Sequence, residues 1–326
     1  MKAILLKGKG GADSLFLGDY ALPAARPGSV LIQIKAFGIN HAEIYMRRGD
    51  WGDTTDIIGI ECVGIVAEDL SGTFRKGQQV AAMVGGMARN INGSYAEYVA
   101  VPVSHVIPFE SSLPWNELAA IPESYATAWA MLRWCLEAKT GETLVIRGGT
   151  STVGMAAIVL ARHLGLTVIA TTRSAAKQGL LKELGADGVV IDDGEISGEV
   201  RRLFVEGVDK VLELVGTSTL ADSLACIRPM GALAMAGFLG GLAPMENFHP
   251  IFQLPNGIRL TALASAFAFG QKGFEFAKIP LQQIITDIEN KRIPNILRMT
   301  FPVSQIREAH RLVEAGEANG KVVMEW

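Results

Sequence analysis

The sequence predicts an α/β protein in which a doubly wound, six-stranded parallel sheet follows a β-domain of short strands. Three observations carry that prediction. Between residues 143 and 264 short apolar runs alternate with helical segments. Before residue 121 the runs are short, closely spaced and without an amphipathic helix between them. After about residue 266 the alternation stops.

The β-domain is read from runs at 3–6, 30–36, 62–67, 79–83 and 95–101, separated by turn signals such as Pro27-Gly28 and Lys76-Gly77. Such spacing suits a barrel. The pattern changes near Ile121-Pro122. Strands of the parallel sheet are then expected at 143–146, 167–172, 188–191, 208–215, 232–236 and 259–264, a complete doubly wound set. The remainder holds expected helices at 281–291 and 303–315 and a closing strand at 321–325.

Composition narrows the function classes. A chain of 326 residues has room for two domains. Hydrophobic residues make up 49% and charged residues 19%, which describes a core-rich globular protein without disorder. Net charge is −3 and no Lys/Arg run occurs, so the footprint of a nucleic-acid surface is missing. No apolar run approaches a membrane span, and the apolar stretch in MKAILLKGKG is too short for a signal peptide. Cys62, Cys135 and Cys226 sit far apart in apolar segments and read as buried, reduced thiols. A soluble, cytoplasmic protein is the expectation.

The most informative stretch runs from 142 to 174. A strand at 143–146 leads into Gly148-Gly149-Thr150-Ser151-Thr152-Val153-Gly154, then an apolar helix at 155–164 and a second strand at 167–172. A strand, small-residue turn, helix and strand in that order bring backbone N–H groups and a helix N-terminus up to a diphosphate. The glycine fingerprint G-x-G-x-x-G is broken at Ser151, whose hydroxyl is expected to donate to a phosphate oxygen instead. An NAD-binding unit places an acid roughly 20 residues past the turn to hold the ribose 2′-hydroxyl. Here Thr172-Arg173-Ser174 stands in that place, a set suited to a 2′-phosphate, and NADPH is the expected cofactor. Lys177, early in an expected helix at 175–184, opposes the helix dipole unless an anion is nearby; it reads equally as a solvated lysine.

Several strings, in order, resemble the medium-chain dehydrogenase/reductase superfamily and, within it, the zinc-independent, zeta-crystallin-like quinone oxidoreductase branch. They are Gly38-Ile39-Asn40, Tyr45-Met46-Arg47-Arg48-Gly49, Gly59-Ile60-Glu61-Cys62-Val63-Gly64, Gly93-Ser94-Tyr95-Ala96-Glu97-Tyr98, Thr127-Ala128-Trp129, the phosphate turn, Leu184-Gly185-Ala186-Asp187 and Gly320-Lys321-Val322-Val323. The resemblance covers the whole chain. It implies a GroES-like catalytic domain over 1–121, a Rossmann domain over 122–266, a cofactor cleft between them, and a segment 267–326 returning to the catalytic domain. Zinc-dependent relatives carry a metal-binding His where Ile60 stands, a catalytic Cys near 38–40, and four Cys around 83–94; none is present here. The five histidines, at 41, 105, 163, 249 and 310, show no short ligand spacing. No metal is expected.

Without a metal to polarise the substrate oxygen, the resemblance implies a quinone or α,β-unsaturated carbonyl as hydride acceptor, with donors preplaced for the developing oxyanion. Tyr45 and Asn40 are the candidates, on the loop that the resemblance sets over the nicotinamide. The plainer readings are a barrel-edge aromatic and a turn residue. Arg47 and Arg48 read as solvated. By the same resemblance Thr127 lies below the nicotinamide, Gly237, Phe238 and Leu239 pass beside its ribose, and Leu263, Ala264 and Ser265 meet the carboxamide through backbone groups. Each also reads as packing. The strand at 259–264 would be a sheet edge, where a homodimer is expected to form. Substrate walls are expected around Trp51 and 245–252. An enoyl-thioester reductase and a low-turnover NADPH-binding protein remain open, while a methyltransferase would prefer an acid where Arg173 stands.

Overall fold

Runs with an apolar side chain at nearly every position become strands covered on both faces in the computed structural model, which describes residues 1–326. The chain divides into two units, Met1–Ala126 with Ala266–Trp326, and Thr127–Ser265.

The first unit opens with β1 (Lys2–Leu6) and β2 (Leu15–Asp19), an antiparallel ribbon. Then come β3 (Ser29–Ile39), β4 (Glu61–Asp69), β5 (Gln79–Met83), β6 (Tyr98–Pro102) and β7 (Val106–Pro108). The second unit holds β8 (Thr143–Arg147), β9 (Thr167–Thr172), β10 (Gly188–Ile191), β11 (Val208–Glu213), β12 (Ile227–Met235) and β13 (Arg259–Ala262). The chain then returns to the first unit with β14 (Leu297–Pro302) and β15 (Lys321–Glu325).

In the first unit the strand order is β14-β15-β3-β4-β5-β7, with β6 also on β3. The length of β3 makes this possible. One edge pairs with β4, while the other takes β6 along 29–33 and then β15 along 36–39. Its core includes Phe37 stacked on Tyr95 at 4.7 Å. The helix Ile306–Glu314 packs there through His310, whose Nε2 lies 2.9 Å from the Tyr95 hydroxyl. Burial lowers the pKa of His310 to about 3, so the imidazole is neutral at pH 7.

The segment between β3 and β4 departs from expectation. A helix, His41–Arg48, lies between β3 and β4, where the sequence pattern suggested none and where Asn40 and Tyr45 were placed on a loop. Asn40 is its N-cap and Glu43 completes a capping box, each side chain meeting the other residue's backbone N–H. Gly49 ends it at φ 87°, donating back to the Met46 and Tyr45 carbonyls.

The second unit is a six-stranded parallel sheet ordered β10-β9-β8-β11-β12-β13. The first strand in sequence lies beside the fourth, and that switch point is where such sheets open a crevice at the strands' C-terminal ends. Boundaries at β9 and β10 match the sequence expectation, whereas β11 stops at Glu213, two residues short of it. Glu213 is fully buried and takes the Val215 and Gly216 N–H groups, which turns the chain out of the sheet. β13 is the sheet's edge. No helix is long and apolar enough to cross a membrane.

Candidate active site

The phosphate turn leaves the C-terminal end of β8 and enters the helix Thr152–His163. Its glycines are there because the backbone is crowded. A Cβ on Gly154 would stand 2.4 Å from the Gly148 carbonyl oxygen, and one on Gly149 would stand 3.1 Å from the Thr171 carbonyl oxygen. The helix therefore sits directly on the turn. Thr152 and Val153 supply first-turn N–H groups that have no acceptor within the helix. Those donors and the helix dipole suit an anion such as a diphosphate.

Ser151 plays another part than the one expected. Its Oγ donates to the Gly148 carbonyl at 2.8 Å and accepts the Gly154 N–H at 3.1 Å. A hydroxyl has one proton, so Ser151 closes the turn as its N-cap and has none left for a phosphate. The missing middle glycine is thus a cap.

The neighbouring strand β9 delivers Thr172, Arg173 and Ser174 to the same end of the sheet, and the Gly149 N–H to Thr171 carbonyl bond ties the two loops at 3.1 Å. Thr172 is buried, its Oγ1 accepting the Ser174 N–H. Arg173 is exposed. Lys177 ends a short 3-10 turn, Ala175–Lys177, ahead of the helix Gln178–Glu183. Gly237, Phe238 and Leu239 follow β12 at that same end. A Cβ on Gly237 would stand 2.1 Å from the Leu214 carbonyl oxygen, and Leu239 reaches toward Gly148. Leu263 is buried and donates its N–H to Met235, while Ala264 is exposed and Ser265 half-buried. Thr127 is buried in the helix Pro122–Ala130.

Arg147, the last residue of β8, escaped the sequence reading. It is fully buried and its guanidinium grips Asp192 through two parallel bonds of 2.8 Å. It also donates to Asp222 at 2.7 Å, to Ser223 and to the Thr219 and Gly194 carbonyls. Satisfied this fully, it ties the loops after β10 and β11 behind the phosphate turn.

In the first unit a buried charged network underlies the helix His41–Arg48. Lys321 Nζ lies 2.5 Å from both Glu61 Oε1 and Asn40 Oδ1, and 3.4 Å from Ser124 Oγ. Asn40 Nδ2 donates to Glu61 at 2.9 Å and lies 3.5 Å from Glu43 Oε1. Glu61 takes the Glu123 N–H, and Glu43 takes those of Asn40 and Ile60. Lys321, Glu61 and Glu43 are fully buried. The amide donors of Asn40 thus turn to carboxylates and away from any substrate oxygen, which recasts Asn40 as a residue that positions the helix.

Tyr45 is half-buried on that helix, its ring 5.9 Å from Trp51 and 6.4 Å from His41. Burial raises its pKa above the ordinary phenol value, so the hydroxyl is a neutral donor at pH 7. Arg47 is not solvated as expected. It is fully buried, donating to the Gly10 carbonyl at 2.6 Å and to Glu314, which Arg48 also meets. No group of three or more His, Cys, Asp or Glu side chains is placed to hold a metal ion.

Burial raises the Glu43 carboxyl to about 7, with the Lys321 ammonium opposing the shift and the Glu61 charge adding to it. A carboxyl whose folded pKa lies above its ordinary 4.5 stabilises fully below that value, and the contribution is lost as pH rises through 7. The protein should therefore lose up to about 3 kcal/mol between pH 5 and pH 8 from this group. Urea midpoints at the two pH values check it. Glu43→Gln should flatten the difference, and an unchanged slope would assign the pH dependence elsewhere.

One unit has a GroES-like fold and the other is a dinucleotide-type parallel sheet. Comparisons agree. An alcohol dehydrogenase GroES-like domain model matches residues 26–111, and a zinc-binding dehydrogenase model matches 152–265. The human quinone oxidoreductase is 26% identical, over 99% of this chain and 97% of its own. A mycobacterial protein solved in complex with NADPH is 28% identical, with a TM-score of 0.86 over 100% of both chains. A highly reducing polyketide synthase of Didymella fabae is 29% identical over 92% of this chain, which spans only 16% of that synthase. The chain belongs to the medium-chain dehydrogenase/reductase superfamily, in its quinone oxidoreductase branch, whose members use nicotinamide cofactors.

Proposed function

We propose that the protein is an NADPH-dependent, zinc-independent reductase of quinones or other α,β-unsaturated carbonyls. The observation that carries this reading is Arg173, exposed at the C-terminal end of β9 where an NAD-preferring chain would carry an acid. The bound cofactor supplies hydride. The chain's own residues do the rest. The Thr152 and Val153 N–H groups hold the diphosphate, Arg173 pairs with the 2′-phosphate, and Thr172, Ser174 and Lys177 border it. Tyr45 offers its neutral hydroxyl to the oxygen on which charge develops. Asn40 holds the helix that aims Tyr45. Thr127, the 237–239 segment and the 263–265 segment bound the nicotinamide end. An edge strand at β13 supports a homodimer.

The test is to mix the protein with NADPH and a panel of quinones and enones and follow the nicotinamide absorbance. Consumption with these acceptors is expected; none would end the reading. Arg173→Asp should weaken NADPH binding about 10- to 100-fold and NADH binding far less, as measured by fluorescence titration. Equal losses would remove Arg173 from the 2′-phosphate. The likeness to a polyketide synthase supports a second reading, an enoyl-thioester reductase, and enoyl thioesters belong in the same panel.

A further inference from the structure

Arg89 is half-buried and is held differently from the two buried arginines. Arg47 and Arg147 end on carboxylates. The Arg89 guanidinium instead lies 5.2 Å from the centre of the Trp51 ring and 4.8 Å from that of Phe267. Its Nε is buried without an acceptor, as is that of Arg47, but no carboxylate meets the rest of the Arg89 guanidinium. Aromatic faces stabilise a cation but accept almost no hydrogen bonds, so the donors of the guanidinium fork are left for a partner.

The fork is also fixed in place. The loop leading to it runs through left-handed backbone at Val84 (φ 50°), Gly85, Gly86 and Ala88 (φ 64°). A β-branched residue in that region is strained, and such strain persists only where the surroundings impose it. His105 imposes it. A Cβ on Gly85 would stand 2.8 Å from His105 Cγ, and one on Gly270 would stand 2.3 Å from His105 Cε1. The ring thus fills the space between the loop of Arg89 and the segment of Phe267, bonded to the Phe269 carbonyl at 2.9 Å. Burial lowers the His105 pKa and favours the neutral ring. From the other side Trp51 leans on Tyr45, so Arg89 stands one ring beyond the proposed oxyanion donor.

We propose that Arg89 is a specificity-determining residue that recognises a carboxylate on the conjugated substrate, making the substrate class unsaturated keto acids. A planar fork matches a carboxylate through two parallel N–H bonds, whereas each carbonyl of a quinone presents the fork with a single uncharged oxygen. The assignment of the bound acid as a substrate rests on the reductase reading; its recognition by Arg89 does not.

The experiment titrates trans-3-benzoylacrylate and its methyl ester into the wild-type protein, Arg89→Gln and Arg89→Lys by calorimetry, and measures NADPH turnover with both compounds. Wild type should bind the acid about 10- to 100-fold more tightly than the ester. Arg89→Gln should abolish that preference with little change for the ester, and Arg89→Lys should keep part of it. Equal wild-type affinities for acid and ester, or no binding of either, would overturn the proposal without recourse to a variant. Equal losses for both compounds in Arg89→Gln would do the same. Acid binding without turnover of any acceptor would sink the reductase reading and leave Arg89 in its role. Turnover that ignores the carboxylate would do the reverse.

Discussion

Replacing Lys321 by methionine is expected to destabilise the protein by about 3–5 kcal/mol at pH 8, because the change strands an ionised carboxylate in the core. The ammonium is fully buried and faces Glu61, Asn40 and Ser124. Methionine fills a similar volume, so the loss reports charge and not a cavity. Denaturant midpoints at pH 8 measure this. A loss under about 1 kcal/mol at pH 8 would mean that the pair contributes no more than a surface ion pair does.

Replacing Tyr45 by phenylalanine is expected to lower turnover by up to about 10²-fold with a neutral quinone. Phenylalanine keeps the ring contacts to Trp51 and His41 and removes only the hydroxyl. Stability and NADPH affinity should stay near wild type. Steady-state kinetics at saturating NADPH give the answer, and an unchanged rate would leave Tyr45 with a packing role alone.

The parallel sheet was legible because its central strands are buried on both faces, so β8 carries the unbroken apolar run 144–146. The helix His41–Arg48 was hidden by its polar composition, although Asn40 and Glu43, three apart, form the capping box that could have revealed it. β14 was missed because most of its side chains face solvent. The site divides likewise. The phosphate turn and Arg173 are local in sequence and could be read there. Glu61 and Lys321 lie far apart along the chain, and no spacing rule joins them. Both were visible as parts of family strings, but their pairing and burial come only with the antiparallel register of β15 on β3. Ser151 was read as a damaged fingerprint until its two hydrogen bonds showed a cap.

The passage of β15 between β14 and β3 has a bearing on how this polypeptide is made. The inserted nucleotide unit can assemble as soon as it leaves the ribosome. Its host cannot: the rim of β3 at residues 36–39 stays open until β15 emerges. An open rim of that kind invites association with other nascent chains. Slow completion of the host is therefore the hazardous interval in biogenesis, and chaperone dependence should concentrate there.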